Sequence, residues 1–414
     1  MSVTDIRSAA RKGTAAVQAA DLTVVGGAGH VGVPLVLAFA AKGMTVNVND
    51  INEDSLATLK SGRLPFIEHG AQELLTKALA DKRLTFSGKP SEISNKGPVI
   101  ITIGTPVDKF LNPERGVVQD CIDALLPYLR DGQLLVLRST LYPGTTDWID
   151  GHLKRHKRKL KVAFCPERIV QGFGIEELSR MPQIISGTSR EAEEEAAALF
   201  RPIVSELVML KPIEAEFAKL FNNAYRYIEF AVTNQFYLIA KSAGLDYHRI
   251  LKAMKHNYPR AKNIPRPGFA AGPCLVKDTM QLLAFASNEF GLGNTAILVN
   301  EGLVLHVIGD LKQHYELSKM TIGLLGMAFK AEIDDVRSSL SYKFKKALES
   351  QAREVLTTDP FVTTDPNLLP LDEVVARSDL LILCTPHNCY KTADLKGKPV
   401  VDVWGFFEKA NVVY

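Results

Sequence analysis

One of the five cysteines in the chain lies where a thiol can act as a nucleophile. Cys274 sits in Phe269-Ala-Ala-Gly272-Pro-Cys274-Leu-Val-Lys277-Asp278, a Gly/Pro loop leading into a helical stretch. A helix N-terminus and a nearby lysine both favour the thiolate, the reactive form of the side chain. An arbitrary cysteine is more often a small buried hydrophobe. Cys165 and Cys384, flanked by apolar residues at strand ends, fit that description; Cys274 does not.

A second chemistry is written in Gly26-Gly27-Ala-Gly29-His30-Val31-Gly32. Gly27, Gly29 and Gly32 have the G-x-G-x-x-G spacing, in which the glycines serve a tight turn, a close approach to pyrophosphate, and helix packing. The free N–H groups of the following helix favour phosphate. Alone, such a run is also compatible with a glycine-rich turn that binds nothing. Here it follows an apolar run, opens a helical pattern, and has Asp50 at the end of the next strand. That carboxylate suits a ribose 2′-hydroxyl and repels a 2′-phosphate, which predicts NAD rather than NADP. His30 and Val31 lie within the turn beside the cofactor. Ile103-Gly104-Thr105-Pro106 ends a later strand and predicts another edge of the cleft, with Thr105 facing it.

The elements that must hold these groups are readable as well. Strand 22–25, helix 33–42 and strand 44–49 form a βαβ unit. Further buried strands are predicted at 99–103, 134–137 and 162–164, which implies a parallel sheet covered on both faces. Helical periodicity then fills 213–243, 247–256, 278–290 and 294–311, interrupted by the Pro/Gly loop 257–273. Strand–helix alternation resumes at 321–325, 355–357, 380–383 and 400–403. The expected fold is α/β, with two Rossmann-like doubly wound domains joined by a helical central segment. The division is an N-terminal extension 1–20, a cofactor domain 21–212, a helical centre 213–312 and a second Rossmann-like domain 313–414.

Composition sets the outer limits. The 414 residues suggest about two to four domains. With 46% hydrophobic and 23% charged residues, disordered and fibrous classes are excluded. Lys and Arg number 49 against 46 Asp and Glu, which gives no electrostatic case for nucleic acid or an anionic membrane. No apolar run reaches the ~18 residues that span a bilayer. The few scattered cysteines argue for a reducing, cytoplasmic setting, and no zinc-ligand spacing is present.

Further motifs follow in order. Ser139-Thr140-Leu-Tyr-Pro143-Gly144-Thr145-Thr146 precedes Pro166-Glu167-Arg168, and Glu216-Phe-Ala-Lys219-Leu-Phe-Asn-Asn223 opens the helical centre. Pro259-Arg260 precedes Cys274-x-x-Lys277-Asp278, and Phe329-Lys330-x4-Asp335-x-Arg337-Ser338 lies in the last domain. From about Leu22 to about Gly405 the chain resembles the UDP-glucose/GDP-mannose dehydrogenase family.

That resemblance implies a two-step, NAD-dependent oxidation of a nucleotide-sugar C6 alcohol to the acid, through a Cys274 thiohemiacetal and thioester. It implies that Lys219 and Asn223, one helical turn apart, stabilise oxyanion charge. Asp278, or Glu167 with Thr140, handles the hydrolytic water. Lys277 and Thr140 also fall beside the cofactor, and Glu167, Arg168 and Gly272 beside the sugar. Arg260, Lys330 and Arg337 serve the diphosphate, with Arg260 reaching across a homodimer. Taken singly, Lys219 also fits a snorkelling surface lysine, and Glu167 an ordinary ion-pair partner.

Departures from the family pattern include Ala270-Ala271 before Gly272, Asn234-Gln235 where Asn-Glu is usual, and Ser339 after Ser338. Pro166–Gly172 and Met181–Gly187 look like the branch acting on UDP-N-acetylhexosamines, whereas Cys274-x-x-Lys277-Asp278 looks like the UDP-glucose branch. The first substrate class is favoured. A β-hydroxyacid dehydrogenase and a non-catalytic nucleotide-binding protein are the remaining alternatives.

Overall fold

The computed structural model describes residues 19–108, 113–114, 116–407 and the backbone of 412–413. The expected extension 1–20 lies outside these residues, apart from Ala19 and Ala20. Two compact units emerge, one ending at Phe221 and the other beginning at Asn222, and their boundary falls within the continuous helix Pro212–Ser242.

In the first unit the strands are β1 (Leu22–Val25), β2 (Val46–Asn49), β3 (Leu84–Ser87), β4 (Val99–Ile101), β5 (Leu134–Leu137), β6 (Lys161–Phe164), β7 (Gln183–Gly187) and β8 (Leu207–Met209). Their order is β3-β2-β1-β4-β5-β6-β7-β8. The chain reverses direction across the sheet at β1, between β2 and β4, and the crevice beyond those strand ends is where α/β sheets bind ligands. Alternate strand residues feed two cores. Val24, Ile100 and Val136 pack in the cluster with Val33 and Leu37 of the first helix. Val25, Ile101 and Leu137 join Val118 and Ile122 in the other. Both faces are therefore covered, which is why these strands read as unbroken apolar runs.

Two expectations are corrected. The sheet is not wholly parallel, because β6 and β7 pair antiparallel, with Phe164 opposite Ser186. In addition, β3, β7 and β8 were not foreseen. β3 and β8 are the sheet edges and only partly buried, so neither carries the continuous apolar run of a central strand.

The second unit contains β9 (Thr321–Leu325), β10 (Glu354–Thr358), β11 (Leu380–Leu383), β12 (Val400–Val401) and β13 (Val412–Val413), all parallel, in the order β10-β9-β11-β12-β13. Its helices include Tyr247–Lys255, Leu275–Phe285 and Gly291–His314. The last of these is long and apolar enough to cross a membrane by length and mean hydropathy, contrary to the expectation from uninterrupted apolar runs, because its few polar residues are spread along it. It buries Asn300, Leu303, Val304 and Val307 within the unit. Asn234 binds the Gly268 backbone twice, accepting its N–H (2.8 Å) and donating to its carbonyl (3.1 Å), and donates to Asn300 (2.9 Å). Two helices thus anchor the start of the loop that leads to Cys274.

Candidate active site

The glycine turn has the geometry of a diphosphate cradle, with one change of role. The left-handed position is taken by Gly26 (φ +78°), not Gly27. Gly27 is required by space, since a Cβ there would lie 2.7 Å from the Val24 carbonyl oxygen. A Cβ on Gly29 would meet only the Gly26 oxygen, at 3.4 Å, so its face is open. Gly32 begins the helix Gly32–Ala41, and Val31 caps it. Asp50 accepts the Ala28 N–H at 3.0 Å and the Asn52 N–H at 2.9 Å, which fixes the carboxylate at the end of β2. The His30 ring lies against that of Phe66, tilted by 39° with centroids 3.9 Å apart, and its Nδ1 lies 3.1 Å from Gln171 Nε2. These residues fit an NAD pyrophosphate and ribose.

Gly32 has no slack. A Cβ there would fall 2.3 Å from the Gly26 oxygen and 2.6 Å from the Gly27 Cα, both main-chain atoms. Gly32→Ala is expected to raise the KM for NAD by about tenfold or more and to lower Tm, as a core steric clash of about 1–3 kcal/mol would. Steady-state kinetics with varied NAD and a thermal melt check this outcome.

Thr105 and Thr140 follow β4 and β5 and are half-buried. Ser139 Oγ donates to the Ile103 carbonyl (2.7 Å) and so ties these two strand ends together. Glu167 is buried, and its carboxylate is fully engaged. One oxygen pairs with Arg138, and the other accepts the N–H groups of Arg168 (2.6 Å) and Ile169 (2.8 Å). Arg168 is half-buried and donates to the Pro182 carbonyl. Arg138 was missed by sequence reasoning. It is wholly buried, donates to the Cys165 carbonyl (3.1 Å) and Gln183 Oε1 (2.9 Å), and faces the Phe200 ring.

Glu216, which opens the motif bearing Lys219 and Asn223, joins it to the motif that ends at Thr146. Its carboxylate accepts the Thr146 N–H (2.7 Å), the Thr146 hydroxyl (2.6 Å) and the Gly144 N–H. It thereby caps the helix Thr145–Arg155. Burial pushes its carboxyl up from the usual range, opposed by those hydrogen bonds. Lys219 follows on the same helix, buried, one turn ahead of Asn223.

In the second unit, Cys274 is exposed and stands at the N-cap of Leu275–Phe285. One turn on, Asp278 is completely buried. It accepts from Asn223 Nδ2 (2.6 Å) through one oxygen and pairs with Lys277 Nζ (2.8 Å) through the other. Lys277 therefore serves Asp278 in this geometry. Gly272 adopts φ +112°, and its Cβ position would lie 2.7 Å from the Phe329 ring, which binds the cysteine loop to the segment bearing Lys330 and Arg337. Asp335 holds the Arg337 guanidinium through Nε (2.9 and 3.0 Å) and Nη2 (2.6 Å). Against burial, which opposes the charge, Asp335 and then the Cys274 sulfur keep Arg337 above its ordinary pKa. Arg260 is exposed, donating Nε to Tyr258 Oη (2.8 Å) with its guanidinium over the same ring.

The other thiols are chemically quiet. Burial pushes Cys121 up to about 11 and Cys165 up to about 12, and raises Cys384 and Cys389 as well. All five cysteines are free.

The two sheets also differ in how they leave their first strand. After β1 a short turn runs directly into a helix at Gly32; after β9 the next helix starts only at Leu340. Charge on the second crossover comes from side chains, Lys330 and Arg337 alongside the carboxylates Glu332, Asp334 and Asp335.

An open glycine turn with an aspartate at the ribose position, followed by long helices and a second parallel sheet, defines an NAD-dependent dehydrogenase with two Rossmann-like sheets. Three models of one family match the chain in series: the NAD binding domain over residues 20–204, the central domain over 213–301 and the UDP binding domain over 323–409. The chain belongs to the UDP-glucose/GDP-mannose dehydrogenase family, and it is an NAD-dependent nucleotide-sugar dehydrogenase. The UDP-binding match separates it from the β-hydroxyacid dehydrogenases considered above.

It is 29% identical over 380 residues to the UDP-N-acetyl-D-mannosamine dehydrogenase of Pyrococcus horikoshii, covering 89% of this chain and 90% of the relative. It is 26% identical over 411 residues to an NDP-N-acetyl-D-galactosaminuronic acid dehydrogenase of Ralstonia nicotianae, covering 93% and 96%. The solved UDP-N-acetyl-mannosamine dehydrogenase of Staphylococcus aureus superposes with a TM-score of 0.84 at 26% identity, covering 95% of this chain and 97% of that one.

Proposed function

We propose that this enzyme oxidises the C6 hydroxyl of a UDP-linked N-acetylhexosamine to the carboxylate, with Cys274 as the covalent nucleophile. The observation that carries the reading is an exposed cysteine at a helix N-cap position followed one turn later by a buried aspartate, itself held by a lysine and an asparagine. The N-acetylated sugars in the names of the relatives support the substrate class.

When bound, NAD accepts the hydride removed from C6 in each of the two oxidations. Gly29, His30, Val31, Gly32 and Thr105 line its phosphates and ring side, and Asp50 takes the ribose hydroxyls. Between the oxidations the Cys274 thiolate adds to the C6 aldehyde, forming a C–S bond and an alkoxide that takes a proton. Lys219 and Asn223 donate hydrogen bonds to that developing negative oxygen. After the second oxidation water adds to the thioester, the C–S bond breaks, and the thiolate leaves. The single proton of that water passes to one of two carboxylates, Asp278, fixed by Lys277 and Asn223, or Glu167, fixed by Arg138 and assisted by Thr140. Arg168 and Gly272 shape the sugar subsite, while Lys330 and Arg337 hold the diphosphate.

In our reading 21–212 forms the cofactor domain, 213–312 the dimer interface and 313–414 the nucleotide-sugar domain. Exposed Tyr225, Ile239, Leu292, Leu298 and Leu305 on two long helices support a homodimer, within which Arg260 reaches the partner's site. Five free thiols support a cytoplasmic location.

NADH formation should be measured with UDP-N-acetylmannosamine, UDP-N-acetylgalactosamine, UDP-N-acetylglucosamine, UDP-glucose and GDP-mannose. Two NADH per molecule of one N-acetylated sugar are expected, with no free aldehyde. Turnover of UDP-glucose alone would favour the second reading, which rests on the Cys274-x-x-Lys277-Asp278 spacing. One NADH per sugar, with aldehyde released, would sink the covalent mechanism.

A further inference from the structure

The segment 326–338, which carries Lys330 and Arg337, is shaped from outside by a buried polar cluster. Asp359, just after β10, accepts the N–H groups of Met327 (2.6 Å) and Ala328 (2.9 Å) through Oδ2, and those of Phe361 (2.8 Å) and Val362 (3.1 Å) through Oδ1. His387 is wholly buried, with Nε2 3.0 Å from the same Asp359 Oδ2. Its Nδ1 accepts the Glu332 N–H at 3.0 Å.

A backbone N–H can only donate, so Nδ1 is bare and the proton sits on Nε2, directed at Asp359. Two further bonds close the arrangement: the Thr385 hydroxyl donates to the Ala328 carbonyl (2.6 Å), and Glu332 Oε1 accepts the Asn388 N–H (2.7 Å). Glu332 itself has φ +64°, a left-handed conformation that a glutamate holds only when its surroundings impose it.

We propose that His387 is the positioning residue for the nucleotide diphosphate: its Nδ1 pins the Glu332 amide in the left-handed turn that presents Lys330 and Arg337. The proposal rests on the assignment of those two cations to the substrate diphosphate. His387 itself touches no reacting atom. Without its acceptor the Glu332 backbone relaxes toward negative φ, and the cations on either side shift with it.

Two substitutions separate this from mere structural support. Asparagine places an acceptor where Nδ1 stood, whereas glutamine places its amide near the Nε2 position and leaves Glu332 without an acceptor. The measurements are UDP affinity by calorimetry and steady-state constants with the sugar that the panel identifies. His387→Gln should weaken UDP binding and raise the sugar KM by about tenfold, as loss of one buried hydrogen bond would. Its kcat and KM for NAD should stay within about twofold of wild type. His387→Asn should recover most of the UDP affinity.

Equal losses in both variants, or a fall in kcat with unchanged sugar KM, would overturn the proposal. Wild-type enzyme that fails to bind UDP would overturn the assignment of Lys330 and Arg337 instead, and this inference with it. If neither variant folds, hydrogen exchange on the wild-type enzyme decides. The Glu332 amide should exchange only on global unfolding, and fast exchange would contradict the pin.

Discussion

Replacing Cys274 by alanine should lower the conversion of the nucleotide sugar to its acid by a factor of about 10³ or more. The thermal melt should be unchanged, because the side chain is exposed and fills no core space. The size of the loss follows from what the thiol does. Without it the aldehyde must be hydrated before a second hydride can leave, and a hydrate has no covalent tether. A small residual rate, with one NADH per sugar and aldehyde in solution, would still fit the mechanism. Unimpaired formation of the acid would refute it. Cys389, the other exposed thiol, provides the control: Cys389→Ala should leave the rate unchanged.

The second large effect concerns stability. Arg138→Met should destabilise the first unit by about 3–5 kcal/mol, because it strands the Glu167 carboxylate in a buried site without its counter-charge. For a unit of this size that corresponds to a Tm lowered by roughly 10 °C. The penalty belongs to the unpaired charge and not to the lost pair itself. Arg138→Met combined with Glu167→Gln should therefore melt well above the single variant, since a neutral amide oxygen can still accept from the Arg168 and Ile169 N–H groups. Differential scanning calorimetry of the two proteins distinguishes these accounts, and a double variant no more stable than the single would contradict ours.

What the sequence made legible was what is local. Leu134-Leu-Val-Leu137 reads as a central strand, because a four-residue apolar run after the Asp131-Gly132 turn is too short for a helix and fits a strand covered on both faces. Cys274 and Asp278 lie one helical turn apart within a single helix start, so spacing alone places them together. Edge strands such as Leu84–Ser87 carry no such signal, since one of their sides faces no partner strand. The glycine turn was legible as a motif but ambiguous in frame, because Gly26 and Gly27 are adjacent and only the backbone angles show which one turns.

Non-local pairs stayed hidden for a different reason. An arginine next to a strand end reads as an ordinary surface charge until its carboxylate, 29 residues away, is found against it. His387 and Glu332 are separated by 55 residues, and nothing in either neighbourhood announces the other. Burial of polar groups depends on mutual satisfaction, which is a property of the folded pair and of neither residue alone.

The unequal crossovers after β1 and β9 bear on how this enzyme can evolve. In the first unit, phosphate recognition is tied to main-chain amides and to Gly27 and Gly32, which admit no side chain, so drift at those positions harms the fold before it alters preference. In the second, our proposed function places recognition on side chains of a long crossover, Lys330 and Arg337, that can be exchanged one at a time. Pyrophosphate binding is thereby tied to the backbone, with the Asp50 side chain left as the one exchangeable group in our reading of the cofactor site, while the second crossover can change its contacts singly, so a lineage built on this scaffold can alter its sugar-nucleotide half without rebuilding its cofactor half.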